Sequence, residues 1–103
     1  MNKVTAIDLF RKKDPSLIIE CCSYEDSLKM CKMLNENSVT ASYGQHYTHE
    51  NILAWIRNRH SVGNNIGFSG DRRIRNMEAV DKNDYKVVVN CKELFNQYEV
   101  NLI

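Results

Sequence analysis

The sequence predicts an α+β domain, a mainly antiparallel sheet packed against two to three helices, and three observations predict it. Segments of helical period alternate with β-branched runs in the order helix, strand, helix, strand, helix, hairpin, strand. A Gly70-Asp71 dipeptide stands between the segments "IGFS" and "RRIRN", which is a hairpin signal. At 103 residues the chain is a single domain, residues 1–103, with one core that buries roughly 60% of the unfolded surface. A composition of 43% hydrophobic and 26% charged residues, with one Pro, excludes disordered and collagen-like classes.

In chain order, "TAIDLFRKKDP" predicts a short helix capped by Thr5 and Asp8, with Ile7 and Phe10 on one face, ended by Asp14 and Pro15. "SLIIECC", residues 16–22, is apolar on both faces and suits a covered central strand. "SYEDSLKMCKMLNEN" follows with Ser23 as N-cap, Asp26 at the third helical position, and Leu28, Cys31 and Leu34 at helical spacing. "SVTASYG" predicts a strand with Val39, Ala41 and Tyr43 on one side. "THENILAWIRNRH" restarts a helix capped by Thr48, its stripe formed by Ile52, Leu53, Trp55 and Ile56. "IGFSG" and "RRIRNMEAV" form the hairpin, with Ile74 inward and Arg73 and Arg75 outward. A strand from Tyr85 to Val89, a helical turn at residues 92–96 and an apolar tail close the chain.

Motifs of chemistry are missing. Four Cys and three His supply seven potential ligands, but the cysteines stand adjacent, then nine and sixty positions apart, without a Cys-x-x-Cys pair, so no metal site is expected. Cys21, Cys22, Cys31 and Cys91 read as small apolar core residues of a reduced chain, since no secretory signal is seen. Gly63, Gly67 and Gly70 are not followed by the Lys-Ser/Thr of a phosphate loop, and no carboxylate pair or Cys-His pair stands out. The expectation is a protein that is not an enzyme and carries no cofactor. No apolar run of about 18 residues is present, so the expected compartment is the cytoplasm, with no membrane partner.

Charge is more telling. Residues 51–77 hold five arginines and one acid, a local +4, whereas the remainder holds nine basic residues against twelve acids. Outside that window lysine outnumbers arginine eight to one. The guanidinium's planar fork suits phosphate and carboxylate, which makes Arg57, Arg59, His60, Arg72, Arg73 and Arg75, with Trp55 beside them, a candidate binding surface. Such a surface is expected to recognise RNA, DNA or an acidic protein. The opposing reading is a wet hairpin face whose arginines are neutralised by Glu78, Asp81 and Asp84. Trp55 is as well explained by core packing beside Ile52.

Ser23, Glu25, Asp26, Ser27 and Met30, followed by Asp84, Tyr85, Lys86, Val88, Glu93, Leu94 and Phe95, resemble the pattern of small phage-encoded α+β accessory proteins. The resemblance covers about two thirds of the chain and departs from the family at the Thr48 helix and the arginine hairpin. It implies a host-takeover role: binding and inhibiting a host factor such as a bacterial defence or toxin component. An RNA-binding regulator that uses the arginine hairpin is the alternative. A free sheet edge and the tail "VNLI" also make a homodimer an expectation.

Overall fold

The computed structural model describes residues 3–41, 46–58 and 65–95. They form α1 (Lys3–Arg11), β1 (Leu17–Cys21), α2 (Tyr24–Glu36), α3 (His49–Asn58), β2 (Ile66–Ser69), β3 (Ile74–Asn76), a 3-10 turn (Lys82–Asp84) and β4 (Val87–Asn90). The strands make one four-stranded sheet in the order β3-β2-β1-β4. β1 pairs antiparallel with β2, β2 antiparallel with β3, and β1 parallel with β4 in the register Leu17↔Val87 to Glu20↔Asn90. The domain is α+β, and the sheet is mixed, with two antiparallel ladders and one parallel one.

β1 is central because it is apolar on both faces. Leu17, Ile19 and Cys21 point at the helices and join Phe10, Met30, Leu34, Ile52 and Phe68 in the main core. Ile18 points the other way, and there the crossover from β3 to β4 covers it. Met77 and the Ile18 side chain together crowd Gly67, and Lys82 pairs with Glu20 at 3.2 Å. A strand covered on both faces needs apolar residues at successive positions, and the run "LII" supplies them.

Helix α2 begins as its sequence dictates, the Ser23 hydroxyl accepting from the Asp26 amide at 3.1 Å. It ends in a paired-carbonyl cap: Val39 N–H donates to Leu34 O, Ser38 N–H to Asn35 O, and Ser38 adopts φ 61°. α1 ends identically, with Asp14 N–H on Leu9 O, Lys13 N–H on Phe10 O and Lys13 at φ 55°. Thr48 caps α3 through its hydroxyl on the Asn51 amide, and α3 packs on α2.

Three expectations are corrected. α1 starts at Lys3, so Thr5 lies inside the first turn and does not cap it. Residues 38–41 form no strand, the amides of Ser38 and Val39 being taken up by the cap of α2, and residues 42–45 lie outside the described set. Cys22 is exposed just past β1, whereas Cys21, Cys31 and Cys91 are buried. The closing helical turn occupies residues 91–95, and the apolar tail lies outside the described residues. No helix among the described residues is long and apolar enough to cross a membrane.

Candidate functional site

The β2–β3 hairpin turns through Gly70, Asp71 and Arg72. Arg72 N–H donates to Ser69 O, Ser69 N–H donates to Arg73 O, and Arg72 takes the left-handed conformation at φ 68°. Glycine or asparagine usually holds that position, since an L side chain there is strained by about 1 kcal/mol or more. Arg72 stays because its side chain reaches the end of α1: Nε donates to Phe10 O at 3.0 Å and Nη2 to Arg11 O at 3.3 Å. A cation donating to the last carbonyls of a helix complements the negative end of the helix dipole, and Phe10 O, which already accepts from Lys13 N–H, takes Arg72 as a second donor.

A second contact locks the same junction. Gly70 N–H donates to Leu17 O at 2.8 Å, and the backbone passes so close to the Asp14–Leu17 turn that a Cβ on Gly70 would run into the Asp14 carbonyl oxygen. The turn is itself tied by Asp14 Oδ1, which accepts from the Ser16 hydroxyl at 2.6 Å and the Ser16 amide at 2.9 Å. These bonds hold the Asp14 carboxyl below its ordinary range.

Of the residues singled out by sequence, Arg72 and Arg75 are therefore committed inside the fold. Arg75 Nη2 pairs with Asp71 Oδ2 at 3.0 Å, and Asp71 Oδ1 also accepts the Ser69 hydroxyl. Arg75 Nε is buried without a partner. Its carboxylate is Asp71, within the hairpin, and not Glu78, Asp81 or Asp84 as the neutralised reading had it. Arg73 points to solvent, and Arg57 is exposed on α3. Trp55 is half-buried and packs against the core. Arg59 and His60 lie outside the described residues. Arg72 and Arg75 are thus engaged by groups of the chain itself, while Arg57 and Arg73 remain exposed.

The hairpin meets the end of α1. The Arg72 clamp brings the end of α1, which carries Arg11, Lys12 and Lys13, against the hairpin that carries Arg73, although about sixty positions separate the segments. Lys86 belongs to the same end of the sheet, because Val87 N–H donates to Ser16 O and the Lys86 charge reaches Asp14. Residues 8–14 and 71–75 carry six cations against Asp8, Asp14 and Asp71, a surplus of three before Lys86 is added. Lys12, Lys13, Arg73 and Lys86 are exposed. Arg11 is exposed as well, with Asp8 3.8 Å away and Asn37 O accepting from Nη2 at 3.1 Å.

Sequence reading missed the α1 lysines because "RKK" at a helix end looks like ordinary dipole complementation. No local pattern announces the left-handed backbone of Arg72, and the contact its side chain makes with α1 is what fixes where the hairpin lies. Of the aromatic residues at this end, Phe10 and Phe68 are 0% and Tyr47 2% accessible, with Tyr47 and Phe68 packed edge to face at 5.8 Å, and Tyr85, next to Lys86, is partly exposed. Among the described residues no three His, Cys, Asp or Glu side chains are grouped to hold a metal ion.

Compared with known proteins, the chain matches no family model, no curated protein and no solved structure.

Proposed function

We propose that this chain is a non-enzymatic binding module that docks the basic end of its sheet, Lys12, Lys13, Arg73 and Lys86, on an acidic surface of a partner protein. On the resemblance to phage accessory proteins the partner is a host factor, such as a bacterial defence component, which the small domain inhibits by covering its working surface. The observation that carries the reading is the Arg72 clamp, which gathers exposed cations from distant segments onto one end of the sheet. A protein target is favoured over RNA because single-stranded RNA is usually gripped by stacking on exposed aromatic rings. Phe10, whose carbonyl Arg72 holds, is fully buried, and Tyr85, next to Lys86, is only partly exposed.

The test is affinity capture from a bacterial lysate, with and without nuclease, followed by titration of the captured protein against salt. The comparison is with a chain carrying Lys12→Gln, Lys13→Asn, Arg73→Gln and Lys86→Gln. Asn is chosen at position 13 because it tolerates the left-handed backbone there. At roughly 0.5 kcal/mol for each exposed charge, the variant binds about 30-fold more weakly at low salt. Its thermal midpoint stays within a few degrees of the parent, since none of the four side chains holds the fold. Capture that disappears with nuclease transfers the site to RNA, and capture that the variant retains in full removes the site.

A further inference from the structure

At the opposite end of the sheet lies a feature that the binding reading does not use. Parallel pairing of β1 with β4 runs through Glu20↔Asn90, so Cys21, the last residue of β1, and Cys91, the first residue after β4, follow the last paired positions side by side. Neighbouring strands lie about 4.8 Å apart, inside the Cα separation of roughly 4.4–6.8 Å that a disulfide spans. Both side chains face the helices and both belong to the main core.

Their surroundings differ. The Cys21 thiol draws Cys91 below the ordinary thiol range, helped by the Lys92 charge and amide and opposed by burial and Asp26. Cys91 and nearly complete burial push Cys21 upward, with Asp26 and Cys31 adding to the effect. Cys91 also opens the closing helical turn, directly after the edge strand β4, so local fraying of an edge suffices to admit a small oxidant. Cys31, on α2, is buried and pushed up to about 12 by burial alone. Cys22 is exposed, but desolvation and Glu20 raise its thiol too.

We propose that Cys21 and Cys91 form a redox-active dithiol that a hydroperoxide closes to a disulfide stapling β4 to β1. The Cys91 thiolate attacks the peroxide, breaking the O–O bond, forming an S–O bond and releasing hydroxide. Cys21 then attacks the sulfenic sulfur, forming the S–S bond, and its proton with the departing hydroxide leaves as water. Two thiols are oxidised, one hydrogen peroxide is reduced, and two waters result. Closing so long a loop stabilises the folded chain through the unfolded state.

The experiment treats the reduced full-length chain with hydrogen peroxide and counts thiols after denaturation. The expected result is a fall from four thiols to two, given the four cysteines of the chain, with the mass lower by two hydrogens. Peptide mapping joins the Cys21 and Cys91 segments, and the thermal midpoint rises and then returns on addition of dithiothreitol. A Cys22→Ser, Cys31→Ala chain retains the whole response, and Cys91→Ala loses it. Should Cys91→Ala fail to fold, the double variant alone decides, because it leaves no other pair. Oxidation confined to Cys22, a bridge from Cys21 to Cys31, or four thiols surviving until the chain unfolds each overturns the proposal.

Discussion

Arg72 shows how one residue decides where two distant segments meet. Its backbone is strained at φ 68°, and its guanidinium recovers that strain by donating to two carbonyls at the end of α1. Gly70 works beside it by absence, since its missing Cβ leaves room for the Asp14 carbonyl. Backbone blocks backbone there, so no side chain can swing aside to accommodate a methyl group. Gly70→Ala is expected to destabilise the fold by about 3 kcal/mol, the upper part of the overpacking range, read as a lower midpoint in a denaturant titration. Tyr47 carries the opposite sign. Its hydroxyl is buried without a hydrogen bond, and burial pushes its pKa well up. Tyr47→Phe removes a desolvated group while keeping the ring against Phe68, and should stabilise by up to about 1 kcal/mol in the same titration.

Elements were legible in the sequence wherever their signals were local. Helix α2 could be read from Ser23, Asp26 and the Leu28, Cys31, Leu34 stripe, and the hairpin from Gly70-Asp71, because capping and turn chemistry involve residues a few positions apart. Ser38 and Lys13 were not legible as helix ends, since the left-handed position usually announces itself with glycine and here does not. That difference makes the two ends of α2 respond oppositely to small substitutions. Ser23→Ala removes the cap on Asp26 N–H and should lower stability by about 1 kcal/mol. Ser38→Gly keeps both capping amides and relieves the strain at φ 61°, so it should raise stability by up to about 1 kcal/mol. Thermal melts of the pair check both signs, and a loss from Ser38→Gly would mean that the entropy of the unfolded chain outweighs the strain.

For the whole molecule, what the sequence withheld was pairing across the sheet. Nothing in "KVVVN" says that it lies parallel to β1 and not along the hairpin. That choice follows from the crossover laying Met77 and Lys82 over the face that Ile18 and Glu20 present. The same choice puts Cys91 beside Cys21 at one end and Lys86 near the arginine hairpin at the other. Neither candidate site could be assembled from the sequence, because each depends on contacts between residues sixty or more positions apart. The two ends are separated by the length of β1, five residues or about 13 Å, beyond the range at which substitutions usually couple. Arg72→Met, which breaks the α1 clamp at the basic end, should therefore add to Ser23→Ala at the thiol end within about 0.5 kcal/mol. Arg72→Met combined with Gly70→Ala should not add, because both loosen the one junction and the second change finds part of it already released. A double-mutant cycle by chemical denaturation measures both combinations. Strong coupling between Arg72 and Ser23 would show that the central strand transmits strain along its length, so that closing the dithiol would alter the basic surface as well.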